Sequence, residues 1–303
     1  MSWKIAGAIL EIFGLFAIGA ILRWRGLLRH GALDRLSNIV FDILFPLMIF
    51  ASLYRGLRAD QLYHLWSLPV IGFGLMAFGA AIGLLLQYGM RQRENGRVET
   101  FLHFCAVNNF QFLPLIVIAN LWGPGYLPLL FILNLGSNLG QWTIGIVLLS
   151  GGSSRQALKN IFNPNVYAIV ASILIIVLHV PVPALLVDIA ALAGSAALPM
   201  CLMVVGAALF GASRHLLRNW WDVVWLCLCR LVILPLLTIV LLKLLPLPEE
   251  VYRISFVVGI MPVSMSATVL TIRYGGSPEY AGQAAVITTI ASLLTMPLLM
   301  LLL

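Results

Sequence analysis

FCAVNNFQFLPLIVIANLW, residues 104–122, is apolar and long enough to cross a bilayer, yet polar and broken in the middle. Asn108, Asn109 and Gln111 sit at its centre, and Pro114 follows. Proline has no N–H and its ring collides with the carbonyl one turn back, so a helix is expected to bend or break here. Inside lipid, the freed backbone groups and three amides need partners, so this middle must face protein or a water-filled cavity. A second stretch behaves alike. SFVVGIMPVSMSATVLTIR, residues 255–273, holds Gly259, Met261, Pro262, Ser264, Ser266 and Thr268. A proline kink with hydroxyls bonded to their own helix accounts for either stretch alone. Two such stretches in matching places of two halves point instead to a transporter's binding site.

Working outward, apolar residues make up 61% of the 303-residue chain and charged residues 10%, with a mean hydropathy of +1.03. That composition identifies an all-α polytopic membrane protein. Ten apolar segments can be marked: roughly 5–22, 33–53, 65–88, 101–121, 127–149, 166–180, 185–210, 221–244, 251–272 and 280–303. The joins between them are short and carry turn or charge signals. Arg23, Arg25, Arg29, Arg35, Arg91, Arg93, Arg97, Arg155, Lys159, Arg214, Arg218 and Arg273 fall on one side; Lys4, Arg55, Arg58, Lys243 and Arg253 fall on the other. The richer side should be cytoplasmic, which puts both termini outside. The net charge of +7 therefore reads as loop charge, not as a nucleic-acid surface.

Residues 1–150 and 160–303 form the two expected halves. Asp34 to Pro46 in the second segment is echoed by Asp188 to Pro199 in the seventh, each followed by an apolar tail ending near a glycine. The interrupted segments are the fourth and ninth. Five spans per half is odd, so the second half enters upside down, an inverted repeat.

Four blocks carry a resemblance to a known family: Leu44-Phe45-Pro46-Leu47; Asn108 and Asn109 before Leu113-Pro114-Leu115; Asn134, Ser137, Asn138, Trp142 and Gly145 in the fifth segment; and Met261-Pro262, Tyr274 to Glu279 and Ala284 to Pro297 near the C-terminus. Together they resemble the auxin efflux carrier family over essentially the whole chain. The resemblance implies scaffold helices at about 5–53 and 166–210 and transport helices at about 65–149 and 221–303. In the latter, broken helices four and nine cross near the membrane centre. It also implies a small organic anion as substrate, such as an auxin-like monocarboxylate or a dicarboxylate, a homodimer through the scaffold, and a plasma or bacterial inner membrane location. One departure stands out. Members commonly carry a glycine between the asparagines and the proline, where this chain has Phe110-Gln111-Phe112-Leu113.

Candidate residues follow from what a carboxylate requires. Broken helices supply free N–H groups and a positive dipole end. Asn108, Asn109, Gln111 and Pro114 frame one break; Met261, Pro262, Ser264 and Ser266 frame the other. Asn134 and Asn138 share a helix face and either line the same cavity or tie helices together. Charged residues inside spans are functional candidates by default. Asp42, four residues before Pro46, is a candidate for proton coupling or a structural pair. Glu11 is expected to pair across helices or face a dimer cavity, and Arg230 to act as anion countercharge, to snorkel, or to pair near Asp222. His103 and His179 fall near span ends, where a surface position is expected. Cys105, Cys201, Cys227 and Cys229 read as packing residues, with no metal-ligand spacing. Nucleophile-elbow, zincin and phosphate-loop motifs are absent, and no cofactor or enzymatic activity is expected. A sodium-coupled symporter of the bile-acid type, a channel and a membrane-embedded sensor are the alternatives.

Overall fold

The computed structural model describes residues 14–62, 65–93, 96–150, 162–212, 220–264, 270–271 and 274–303. Glu11, Ser266, Thr268, Arg155, Lys159, Arg214, Arg218 and Arg273 lie outside them. Among the described residues the regular structure is helical, with a single isolated bridge between Asn108 and Val263. In chain order the helices are α1 (Gly14–Trp24), α2 (Gly31–Gly56), α3 (Ser67–Gly89), α4 (Arg97–Ala106), α5 (Phe112–Trp122) and α6 (Pro124–Ser150). Then follow α7 (Pro164–Val177), α8 (Ala184–Ala207), α9 (Trp220–Leu244), α10 (Glu249–Gly259) and α11 (Pro278–Met300). Six of these, α2, α3, α6, α8, α9 and α11, are long and apolar enough to cross a membrane.

The long helices bend where their sequence demands it. Pro46 and Pro235 each follow a π-turn, at Val40–Leu44 and Cys229–Ile233. A wider turn absorbs the missing N–H and the clash of the proline ring with the preceding carbonyl. Pro199 follows a non-helical residue, Ala196, between Ala184–Ser195 and Ala197–Ala212. Two prolines that mark corresponding places in the sequence thus interrupt their helices by different means.

Packing separates two neighbourhoods. In one, α2 lies against α7 and α8, and α1 crosses α8 where Gly19 and Gly206 let the backbones touch. In the other, α3 packs along α6 and α4, and α9 along α10 and α11. The α3–α6 seam is made by glycines. A Cβ on Gly72 would meet the Leu133 carbonyl, and one on Gly136 would meet the Pro69 carbonyl. Such close approach of backbones is how helices associate when lipid removes the hydrophobic driving force. By contrast, α2 meets α5 and α6 through rings: Phe41 and Phe45 lie 4.9 and 5.6 Å from Phe112, and Phe45 lies 6.5 Å from Phe131. Outward-facing side chains such as Val70, Leu85, Leu174, Leu185, Leu192 and Leu294 are large, apolar and exposed, as a lipid-facing surface requires.

Gly136→Ala is expected to destabilise the purified protein by about 1–3 kcal/mol, the range for overpacking. Gly74→Ala, on α3, the facing helix of the seam, but with open space where a Cβ would stand, is expected to be neutral or stabilising by up to about 1 kcal/mol through helix propensity. Thermal unfolding in detergent distinguishes them.

Candidate functional site

The chain between α4 and α5 leaves the helix at Val107 and re-enters it at Phe112. Pro114 is the third residue of α5, not the point of fracture. In a first helical turn its absent N–H would have had no partner anyway, so it starts the second half-helix. The chain after α10 leaves the helix at Ile260. The two irregular stretches meet. The Asn109 N–H donates to the Pro262 carbonyl (2.8 Å), the Asn108 amide donates to the Val258 carbonyl, and Asn108 and Val263 form the antiparallel bridge. Asn109 also turns its side-chain oxygen to the Phe112 N–H (3.1 Å), capping α5. Interrupted backbone that helices cannot satisfy is therefore satisfied by the other interruption.

Arg230, in the π-turn of α9, completes this arrangement. Its Nε donates to the Met261 carbonyl (3.0 Å), Nη1 to Cys105 (3.1 Å) and Nη2 to Gly259 (3.4 Å). It is 4% exposed. The expectation that it snorkels or pairs near Asp222 is corrected. A guanidinium presents five donors in a rigid fork, which suits three carbonyls converging from two chain segments. Asp222 instead holds Arg97 (3.2 Å) and the backbone N–H groups of Arg91 (2.9 Å) and Gln92 (3.3 Å), while its carbonyl accepts from the Tyr280 hydroxyl (3.0 Å). This second network joins the α3–α4 loop, α9 and α11 at one end of the helices.

The other predicted residues scatter in role. Met261 and Pro262 contribute carbonyls to the crossing and are buried, as is Ser264. Asn134 and Asn138 are buried in α6. Asn138 donates to the Asn134 carbonyl (2.9 Å) and accepts from the side chain of Asn163 (3.3 Å), which caps α7, so it ties helices rather than lining a broad cavity. Asp42 is exposed on α2, so the premise that burial prepares it for proton exchange is not met; its neighbour Phe41 is the side chain that reaches α5. His103 corrects another expectation: it is fully buried, and its ring N–H donates to the Gly145 carbonyl (2.8 Å). Between residues 104 and 118, only Gln111 and Phe112 are partly exposed. Sequence reasoning gave Gln111 no special place among the amides, although it is the accessible one.

Space at the crossing is small. A cavity of about 10 Å³, lined by Asn108, Arg230, Ser137, Thr238, Gly79 and Gly259 among others, has room for about one water. A larger hollow of about 470 Å³ lies at the far end of α5, between Leu57, Leu65, Trp122, Tyr126, Leu129 and Glu250. Among the described residues no cluster of His, Cys, Asp or Glu is suited to a metal ion.

Asn108→Ala is expected to cost about 0.5–1.5 kcal/mol in unfolding free energy, because it removes a buried hydrogen bond and leaves the Val258 carbonyl with the Met261 N–H (3.3 Å) alone. Gln111→Ala, whose amide has no hydrogen-bond partner among the described residues, is expected to stay within about 0.5 kcal/mol. Denaturant unfolding of the purified variants separates a residue that holds the crossing from one that is partly exposed beside it.

The family described as membrane transport protein matches residues 4–157 and 153–300. An uncharacterised transporter of Methanothermobacter thermautotrophicus is 26% identical over 296 residues, covering 96% of this chain and 95% of the relative. A second uncharacterised transporter, from Methanocaldococcus jannaschii, is 22% identical over 298 residues, covering 96% of each. With its apolar helices and both halves matched, this multi-pass membrane protein belongs to the membrane transport protein family, the auxin efflux carriers that its sequence resembles.

Proposed function

We propose that the protein is a secondary transporter for a small organic anion, working by alternating access around the crossing of two broken helices. The observation that carries this reading is the direct pairing of the two interruptions, Asn109 N–H to Pro262 carbonyl, deep in the protein. α5 begins at that point with its positive end and its first N–H groups, which suit a carboxylate. Asn109 and Gln111 stand beside that end, and Gln111 is exposed enough to meet a ligand. In this reading the chain crosses the membrane ten times as two inverted repeats, with both termini outside and spans four and nine broken. The neighbourhood of α1, α2, α7 and α8 serves as scaffold and dimer surface, and the remaining helices move against it. The aromatic contact of Phe41 and Phe45 with Phe112 is then the sliding surface. Proton coupling through Asp42, and residence in a plasma or bacterial inner membrane, belong to the same reading.

Sodium coupling is less favoured by the geometry. Sodium sites gather carboxylates with carbonyls, and the carbonyls of Cys105, Gly259 and Met261 already receive a guanidinium.

Purified protein in liposomes is expected to take up at least one labelled acid from a panel of indole-3-acetate, benzoate, succinate and malate. Uptake should saturate with concentration and be unaffected when potassium replaces sodium. Gln111→Ala or Asn109→Ala should lower it by about tenfold or more, the scale of one or two lost ligand hydrogen bonds. Non-saturating flux would favour a channel, and absence of flux for every acid would end the carrier reading.

A further inference from the structure

Arg230 brings a full positive charge into the protein interior, and among the described residues no carboxylate lies within ion-pair distance of it. What faces it instead are chain ends. Cys105 is in the last turn of α4, Gly259 ends α10, and Met261 lies just beyond. A helix carries roughly half a negative charge at its C-terminus and leaves its last four carbonyls without intrahelical partners. Two such ends amount to about one negative charge, which one guanidinium cancels. α4 and α10 both point their negative ends at the crossing, while α5 starts there with its positive end. Without Arg230 these two negative ends would stand uncancelled at the crossing and oppose an anion there.

We propose that Arg230 is the positioning residue that sets the charge of the crossing: it neutralises the carbonyl ends of α4 and α10, leaves the positive start of α5 unopposed by them, and so makes the site select anions. The assignment rests on the crossing being where substrate docks. It gives Arg230 a task distinct from direct contact with substrate, since its Nε, Nη1 and Nη2 are all engaged with backbone. The small cavity on which Arg230, Asn108, Ser137 and Thr238 converge is too tight for an organic acid, which fits the same division of labour.

A thiol at the half-exposed position 111 reads this field without knowledge of the substrate. The Gln111→Cys protein is treated with the anionic sulfonatoethyl and the cationic trimethylammonium-ethyl methanethiosulfonates, and the ratio of the two rates is compared with that for free cysteine. The protein without the added cysteine is the blank for Cys105, Cys201, Cys227 and Cys229. The expected ratio favours the anionic reagent beyond free cysteine. Adding Arg230→Gln should lower it by about tenfold, the scale of one unit charge lost in a poorly screened interior. Adding Arg230→Lys, which keeps the charge but not the fork, should hold it within about twofold even where the protein melts earlier. A purely structural arginine would lower stability in both variants and leave the ratio unchanged, which overturns the assignment. If Arg230→Gln does not fold, the parent and Arg230→Lys still decide it: a ratio at or below that of free cysteine in either, or no reaction with either reagent, overturns it. Loss of liposome flux with this charge pattern intact would remove the transport reading and leave the role of Arg230 standing. Intact flux with a neutral pattern would do the reverse.

Discussion

A backbone that leaves the helix inside a membrane has no water to bond, and this one requirement shapes the centre of the molecule. Residues 107–111 and 260–264 both leave the helix there. Neither stretch satisfies all of its own N–H and carbonyl groups, although Phe110 N–H reaches the Asn108 carbonyl and Met261 N–H the Val258 carbonyl. They satisfy each other through Asn109 and Pro262 and through Asn108 and Val258, and Arg230 takes up the carbonyls that remain. Removing any one of these partners leaves a buried polar group exposed to hydrocarbon-like surroundings, at a cost that no lipid contact returns. The crossing is therefore one cooperative unit. α3 and α9, which flank it, are the helices whose shape and charge are fitted to it.

The interfaces around this unit are of two physical kinds. Gly72, Gly79, Gly83 and Gly136 let α3 lie directly on the backbones of α4 and α6. Contact of this sort has one register, because a shift drives carbonyls into Cα atoms. Phe41, Phe45, Phe112 and Phe131 form a different boundary. Rings at 4.9 to 6.5 Å, tilted or edge-on, have several arrangements of similar energy. In the proposed alternating-access reading, a site that stays intact while its exposure changes needs a rigid set of contacts and a permissive one, which the glycine seam and the phenylalanine boundary would supply. The family's glycine in the 110–113 window would soften this boundary further. In this chain Phe112, from the same window, fills the boundary with ring surface.

Much of this was legible in the residues. The interruptions of the fourth and ninth segments and the helical class follow from apolar runs punctuated by Asn, Gln, Gly and Pro, and the family from the resemblance of four sequence blocks, matched by the family model. What was not legible has specific physical causes. Pro114 marks the neighbourhood of the break but not its place, because proline is as comfortable in a first helical turn as after one. The break itself is set by the partner stretch, 150 residues away in the chain, which no local pattern reveals. His103 reads as a terminal residue because the apolar run thins there, yet it is enclosed by Gly145, whose missing side chain opens room for the ring. Arg230 looked like a free charge in a span. Its partners are backbone carbonyls, which every residue has, so its role was invisible in side-chain chemistry. The spacing of its π-turn before Pro235 was the available hint, since such turns often mark functional positions. Asp42 is a carboxylate in a span whose side chain is exposed, which its sequence position did not reveal.

The two carbonyl ends at the crossing are treated unequally, and this bears on function. The end of α4 at Cys105 is covered closely by the backbone of α3 at Gly79 and Gly83. The end of α10 has Thr238 against Gly259, leaving room beside it for the long arm of Arg230. A symmetric solution, with glycine on both flanks, would pack both ends and leave two uncompensated negative dipole ends in the centre. A symmetric solution with arginine on both flanks would place two like charges a few ångströms apart in a poorly screened interior, at a cost of several kcal/mol by ordinary Coulomb reasoning. One arginine and one glycine seam is the combination that both packs and balances. The centre of such a carrier can be nearly symmetric in backbone, but its side chains must differ between the halves. The helix that carries the cation is α9, at the π-turn that precedes Pro235.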